Sequence, residues 1–235
     1  MIYNNMKNGI FLARTNRFLA EIEIDGKKEV CHVKNTGRCR ELLQPGVRVL
    51  VQKSDNPNRK TAYDLIAVYK GDILVNMDSQ IPNAAVEEWI RKGNLFEHLQ
   101  VLKREVKYGD SRFDLYAEYG EQDSVKEAFL EVKGCTLEMK GVAAFPDAPT
   151  ERGVKHVEEL CRCLEDGYEA YLIFLIQMKG VHKIVPNWKT HEAFGRALQK
   201  AASAGVHILA YDSVVTENSI CMDQPVSVDL ADGLI

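Results

Sequence analysis

Two short segments carry the residue types that phosphate hydrolysis needs. The first is Ser111-Arg112-Phe113-Asp114, and the second, seventeen residues beyond Asp114, is Glu131-Val132-Lys133. Strand side chains alternate faces, so an extended Glu131-Val132-Lys133 turns its carboxylate and amine one way and Val132 the other. If the two segments pair through the polar Gly120–Ser124 loop, Asp114 comes beside Glu131, and two carboxylates converge with one amine. Like charges that close resolve through a shared proton or a divalent cation. Oxygen ligands of this kind suit Mg2+ or Mn2+. Such an ion lowers the pKa of its water to about 7 and stabilises charge building on a phosphoryl group. Lys133 beside it can orient that water or hold the oxyanion.

A Glu-x-Lys at a strand end is also a common solvated ion pair worth under ~1 kcal/mol, so spacing alone does not decide. A third segment weighs on the chemical side. Pro149-Thr150 opens a helix that carries Arg152, Lys155 and His156 in its first two turns. Cations there oppose the helix dipole unless something anionic lies close. Arg152 and His156, with Arg112, are therefore candidates to grip a phosphate chain.

The elements that must position these groups change character near residue 80. Up to Asp78 the pattern is of short strands: Phe18–Ile24, Glu29–Val33, Val47–Val51, Ala62–Tyr69 and Ile73–Met77, with a helical turn over Gly37–Leu43. That order suggests a five-stranded barrel of the oligonucleotide-binding (OB) kind over residues 1–80. Residues 81–235 predict the order α-β-β-β-α-β-α-β, a mixed sheet flanked by helices. Its elements are a helix over Ala84–Lys92, strands over Val101–Lys107, Phe113–Tyr119 and Ala128–Lys133, a helix from Pro149 to about Glu165, a strand over Ala170–Gln177, a helix over Trp188–Ser203, a strand over Val206–Tyr211 and a less regular tail. The class is α/β (α+β).

Composition bounds the function. The chain has 235 residues, 46% of them apolar and 27% charged, which excludes disordered, collagenous and disulfide-scaffold classes. Its apolar runs fall short of a membrane span and no secretory signal is visible, so a cytoplasmic protein with no membrane partner is expected. The six cysteines are scattered without metal-ligand spacing. Net charge is −4 overall, but residues 1–80 hold 13 basic and 9 acidic residues, a net of +4 that leaves −8 for the remainder. A basic module can meet a polyanion beside an acidic one that holds cations. In the first module Arg14, Arg17, Lys34, Arg38 and Arg40 cluster around Asn35-Thr36-Gly37, either as a solvated face or as a nucleic-acid groove.

From about Phe11 to Asp212 the chain resembles the sugar fermentation stimulation protein family of bacteria and archaea. The resemblance is carried by Asn35-Thr36-Gly37-Arg38, Glu105-Val106-Lys107-Tyr108-Gly109, Ser111-Arg112-Phe113-Asp114, Glu131-Val132-Lys133 and Phe145-Pro146-Asp147-Ala148-Pro149-Thr150-Glu151-Arg152-Gly153 with His156. It implies an OB barrel followed by a restriction-endonuclease-like domain of the PD-(D/E)XK type. That motif falls on Asp114, Glu131 and Lys133, with Asp114 and Glu131 as metal ligands and Phe113 where the motif's name has proline. Glu87, on the first helix, and Glu105 are candidates for an added carboxylate. The expected partner is DNA, bound without sequence specificity, and a second copy of the chain is a further candidate. Two functions follow as expectations: a metal-dependent nuclease, or a non-catalytic DNA-binding regulator linked to sugar (maltose) metabolism. Paired carboxylates would also suit glycoside hydrolysis, but no segment suggests a sugar pocket.

Overall fold

The computed structural model describes residues 1–35 and 37–233; Thr36, part of the Asn35-Thr36-Gly37 segment, lies outside them. Strands β1 (Met6–Arg14), β2 (Leu19–Ile24), β3 (Lys27–Val33), β4 (Arg48–Lys53) and β5 (Tyr63–Lys70) run in the order β3-β2-β1-β4-β5. A parallel β3–β5 pairing closes them into the expected five-stranded barrel. Membership differs from the sequence reading. Met6–Arg14 takes the central place, while β6 (Ile73–Asn76) hangs outside as a hairpin on β5. The sequence pattern assigns no strand to Met6–Arg14, and within it Gly9 sits where a Cβ would stand 3.0 Å from the Glu23 carbonyl oxygen. The helical segment over Gly37–Leu43 contracts to a single turn, in which Leu42 and Leu43 N–H both donate to the Cys39 carbonyl.

The rest begins with α1 (Ile81–Arg91), which starts three residues before Ala84 because Pro82 fits a first turn. An antiparallel meander follows: β7 (Leu99–Tyr108), β8 (Ser111–Tyr119) and β9 (Lys126–Cys135). Then come β10 (Glu138–Met139), β11 (Val142–Phe145), α2 (Glu151–Glu165), β12 (Glu169–Ile176), β13 (Lys183–Pro186), α3 (Glu192–Ala204), β14 (His207–Thr216), β15 (Ser219–Pro225) and β16 (Ser227–Val228). The large sheet has the order β15-β14-β12-β9-β8-β7, parallel at β9–β12 and β12–β14. A smaller sheet, β10-β11-β13-β16, lies apart from it. The Thr150 side chain caps α2 by accepting from Gly153 N–H at 3.0 Å. Trp188 lies before α3 rather than in it, its ring pressed where a Gly195 Cβ would stand at 2.5 Å.

Each face of the large sheet buries a helix stripe. Val86 and Ile90 of α1 pack on Leu115, Leu130 and Ile173, while Val157 and Leu160 of α2 and Phe194 and Leu198 of α3 pack on Leu172 and Phe174. That second core runs on into the barrel through Met77 and Phe11. No helix among the described residues is long and apolar enough to cross a membrane.

At the seam, buried Gln177 donates from Nε2 to Asn76 Oδ1 and to the Asp78 carbonyl, 3.0 Å each. Replacing it with leucine of similar size removes both bonds and leaves the buried Asp78 carbonyl only the longer 3.4 Å bond from Ile81 N–H, at a cost of about 1–3 kcal/mol. Urea unfolding of Gln177→Leu should show that loss; an unchanged midpoint would mean that water satisfies the seam instead.

Candidate active site

The site lies where two strands part. The β8–β9 ladder runs from Tyr119–Lys126 to Leu115–Leu130 and stops, while β9 stays paired with β12 as far as Cys135–Ile176. Beyond the ladder's end Val132 N–H still points toward β8, and it donates to Asp114 Oδ2 at 2.8 Å. Asp114 Oδ1 accepts from Asn83 Nδ2 at 2.7 Å, so the first turn of α1 reaches the same fork. The sequence reading missed Asn83. Its signal is a polar residue three positions before Val86 and seven before Ile90, on the stripe that α1 buries.

Glu131 enters from the α2 side and is 2% exposed. Its Oε1 accepts from both Lys133 Nζ and His156 Nδ1. His156 Nε2 in turn accepts from Arg152 Nε at 3.2 Å, which places the imidazole proton on Nδ1. Glu131 Oε2 is buried and has no partner among the described residues. Burial, with the nearby Glu131 charge, pushes the Asp114 pKa up to about 6. Burial acts on Glu131 in the same direction, but the His156 hydrogen bond and the Lys133 charge outweigh it and hold that carboxyl below its ordinary range. The two acids are thus driven apart, as in sites where neighbouring carboxyls take different roles.

The remaining candidates divide. Arg112 and Arg152 line an open cavity of about 400 Å3 together with Lys107, Lys155 and His156. Asp110 is its one acidic lining residue. His156 is buried with both ring nitrogens engaged, so it orients Glu131 rather than offering a nitrogen to phosphate. Glu87 is ion-paired with Arg91 at 2.8 Å and Arg104 at 3.7 Å, not with the Asp114–Glu131 pair. Glu105 is exposed, in a left-handed backbone conformation at φ 54°. Among the described residues no three His, Cys, Asp or Glu side chains form a metal-binding group.

In the barrel, Arg14 is committed to architecture: its guanidinium donates to the carbonyls of Asn16, Arg17, Asn35, Gly37 and Arg38. Lys34 is held by Asp78 at 3.2 Å and Asp64 at 3.6 Å. Arg17, Arg38 and Arg40 remain exposed to solvent.

Residues 12–77 match the family profile described as the SfsA N-terminal OB domain, and residues 80–219 that of the sugar fermentation stimulation protein RE domain. The chain belongs to the sugar fermentation stimulation protein family. Among its relatives, a sugar fermentation stimulation protein homolog of Desulfitobacterium hafniense is 56% identical over 233 residues, 99% of this chain and 100% of that one. One from Ruminiclostridium cellulolyticum is 56% identical over 230 residues, covering 98% and 100%. The solved structure of Pyrococcus furiosus SfsA in complex with Ca2+ superposes with a TM-score of 0.87 at 29% identity, over 97% of this chain and 98% of that one. The whole family fold, barrel and sheet together, is therefore present.

The Asp114 environment sets a pH dependence for this SfsA relative. Its folded pKa lies above the ordinary 3.8, so ionisation penalises the folded state; the penalty is absent below 3.8 and complete above about 6. In EDTA at about pH 8, Asp114→Asn should unfold at higher denaturant than the wild type, by on the order of 2–3 kcal/mol. The gap should close toward pH 4. A substitution that destabilises the chain at both pH values would show that the Asp114 carboxylate is favourably solvated.

Proposed function

We propose that this protein is a metal-dependent nuclease that hydrolyses phosphodiester bonds in DNA. The observation that carries this reading is the unpartnered, buried Glu131 Oε2 in the same fork as Asp114. A buried carboxylate oxygen without a donor costs several kcal/mol unless a cation takes it. Its companion oxygen is pinned by Lys133 and His156, and Asp114 is pinned by Val132 and Asn83, so both carboxylates are preorganised. Two carboxylates suit Mg2+ or Mn2+, which keep several waters and share substrate phosphate oxygens. The archaeal relative solved in complex with Ca2+ supports a divalent cation in this family.

Asp114 and Glu131 Oε2 would hold the cation, which supplies a water of lowered pKa and neutralises phosphoryl charge. Lys133, its amine already aimed at Glu131, can swing a donor onto the attacking water or a non-bridging oxygen. His156 keeps Glu131 turned for that task. Arg152, Arg112, Lys107 and Lys155 hold the phosphodiester chain in the basic cavity beside it.

Cleavage of labelled duplex, single-stranded and branched DNA with Mg2+ or Mn2+ tests this directly. Asp114→Asn and Lys133→Ala should each lower the rate about a thousandfold while DNA binding persists. Binding with no metal-dependent cutting across the panel would instead favour the DNA-binding regulator. In a second measurement, Arg152→Ala should weaken DNA binding and reduce the slope of log affinity against log salt by about 1. An unchanged slope would remove the basic cavity from the DNA path.

A further inference from the structure

A second cavity, of about 300 Å3, opens at the seam between barrel and sheet, just past Lys133. Its floor is Gly134 and Cys135 at the end of β9; Thr150, at the start of α2, stands on its wall two residues before Arg152. The two cavities therefore flank the first turn of α2, one on the Arg152 side and one on the Thr150 side. They differ in sign. The first is walled by Lys107, Arg112, Arg152 and Lys155. The seam cavity has no basic lining residue and one carboxylate, Asp147. Its single charged lining group is a carboxylate, which gives a phosphate no ionic partner there.

The barrel side of the seam cavity is firmly braced. Two of the carbonyls that Arg14 clamps belong to Asn35 and Gly37, which line this wall. Ser79 Oγ donates to the Lys34 carbonyl and Lys34 pairs with Asp78, fixing the adjoining linker. Asp147 Oδ2 ties the loop down by accepting from Cys39 N–H at 3.1 Å. Basic groups that a phosphate groove would leave free are used to hold a hollow open. Polar Asn35, Ser79, Asp147 and Thr150 line it, each held in place by one side-chain bond to the protein backbone, while Leu137 and Phe145 supply apolar surface. Apolar walls with a few convergent polar atoms, at the small end of ligand-site volumes, fit one planar heterocycle.

We propose that the seam cavity receives one unpaired nucleobase of the strand whose phosphate occupies the basic cavity, with guanine preferred. This inference rests on the nucleic-acid reading above and narrows its substrate to strands that can unstack a base. Extruded bases are read along their pairing edge and sandwiched by apolar side chains. Guanine presents adjacent N1–H and N2–H donors there, which a carboxylate accepts side by side.

The test measures binding of the full chain, in EDTA, to short labelled oligothymidylate with and without one central dG. The dG strand should bind about tenfold more tightly, and annealing it to its complement should remove the gain. Asp147→Asn keeps an acceptor for Cys39 N–H but loses the charge, and Leu137→Trp fills the hollow; each should bring the dG/dT ratio to near one. Arg152→Ala should weaken both strands and keep the ratio. A wild-type ratio near one, or a tenfold ratio that survives both cavity substitutions, would overturn the proposal. If the chain still cuts both strands with metal, the nuclease reading stands without the base site. Failure to bind either strand at low salt would overturn both.

Discussion

Where the β8–β9 ladder ends after Leu115–Leu130, a backbone donor is left over, and the Asp114 carboxylate takes it. Much of the site depends on that exchange of a ladder bond for a charge-assisted one. It brings a carboxylate from β8 and one from β9 into a single opening, and gives α1 a polar foothold through Asn83. A ladder continued by two residues would bury Asp114 against β9 backbone and close the fork. The sheet stays intact because β9 remains paired with β12 on its other side.

Charge is distributed by task rather than by region. Of the basic residues in the barrel, Arg14 and Lys34 satisfy carbonyls and carboxylates of the protein itself, and Arg17, Arg38 and Arg40 face solvent. Around the fork, His156 serves Glu131 while Arg152 serves His156 through Nε and also lines the basic cavity. A single helix turn thus both orients a carboxylate and adds positive charge to the wall of the basic cavity. This accounts for cations at the start of α2, where the helix dipole disfavours them.

The sequence was readable where one residue type has one structural use. Alternation located β2, a β-rich run bounded by turns located β3, apolar continuity located β12, and Pro149-Thr150 with a 3.6-residue stripe located α2. Spacing also brought Asp114 toward Glu131, since an antiparallel pair with a short loop leaves little choice of register. It failed where context reverses a local signal. Met6–Arg14, where no strand is expected, forms β1, and Trp188, expected at the start of a helix, packs on α3 from outside. Strands of two to four residues, β10, β11, β13 and β16, are too short to show a period. Side-chain partners were the least legible layer. Nothing in Arg14 or His156 as residue types says whether a guanidinium or an imidazole commits its nitrogens to the protein or to a ligand.

The central claim is that the fork is a cation site made by Asp114 and Glu131. Titration of the protein with Mn2+, followed by the loss of the free-ion EPR signal, tests it most directly. The account predicts one site per chain that is lost in Glu131→Gln, where a neutral amide replaces the unpartnered oxygen. Equal Mn2+ uptake by the wild type and the variant would contradict it.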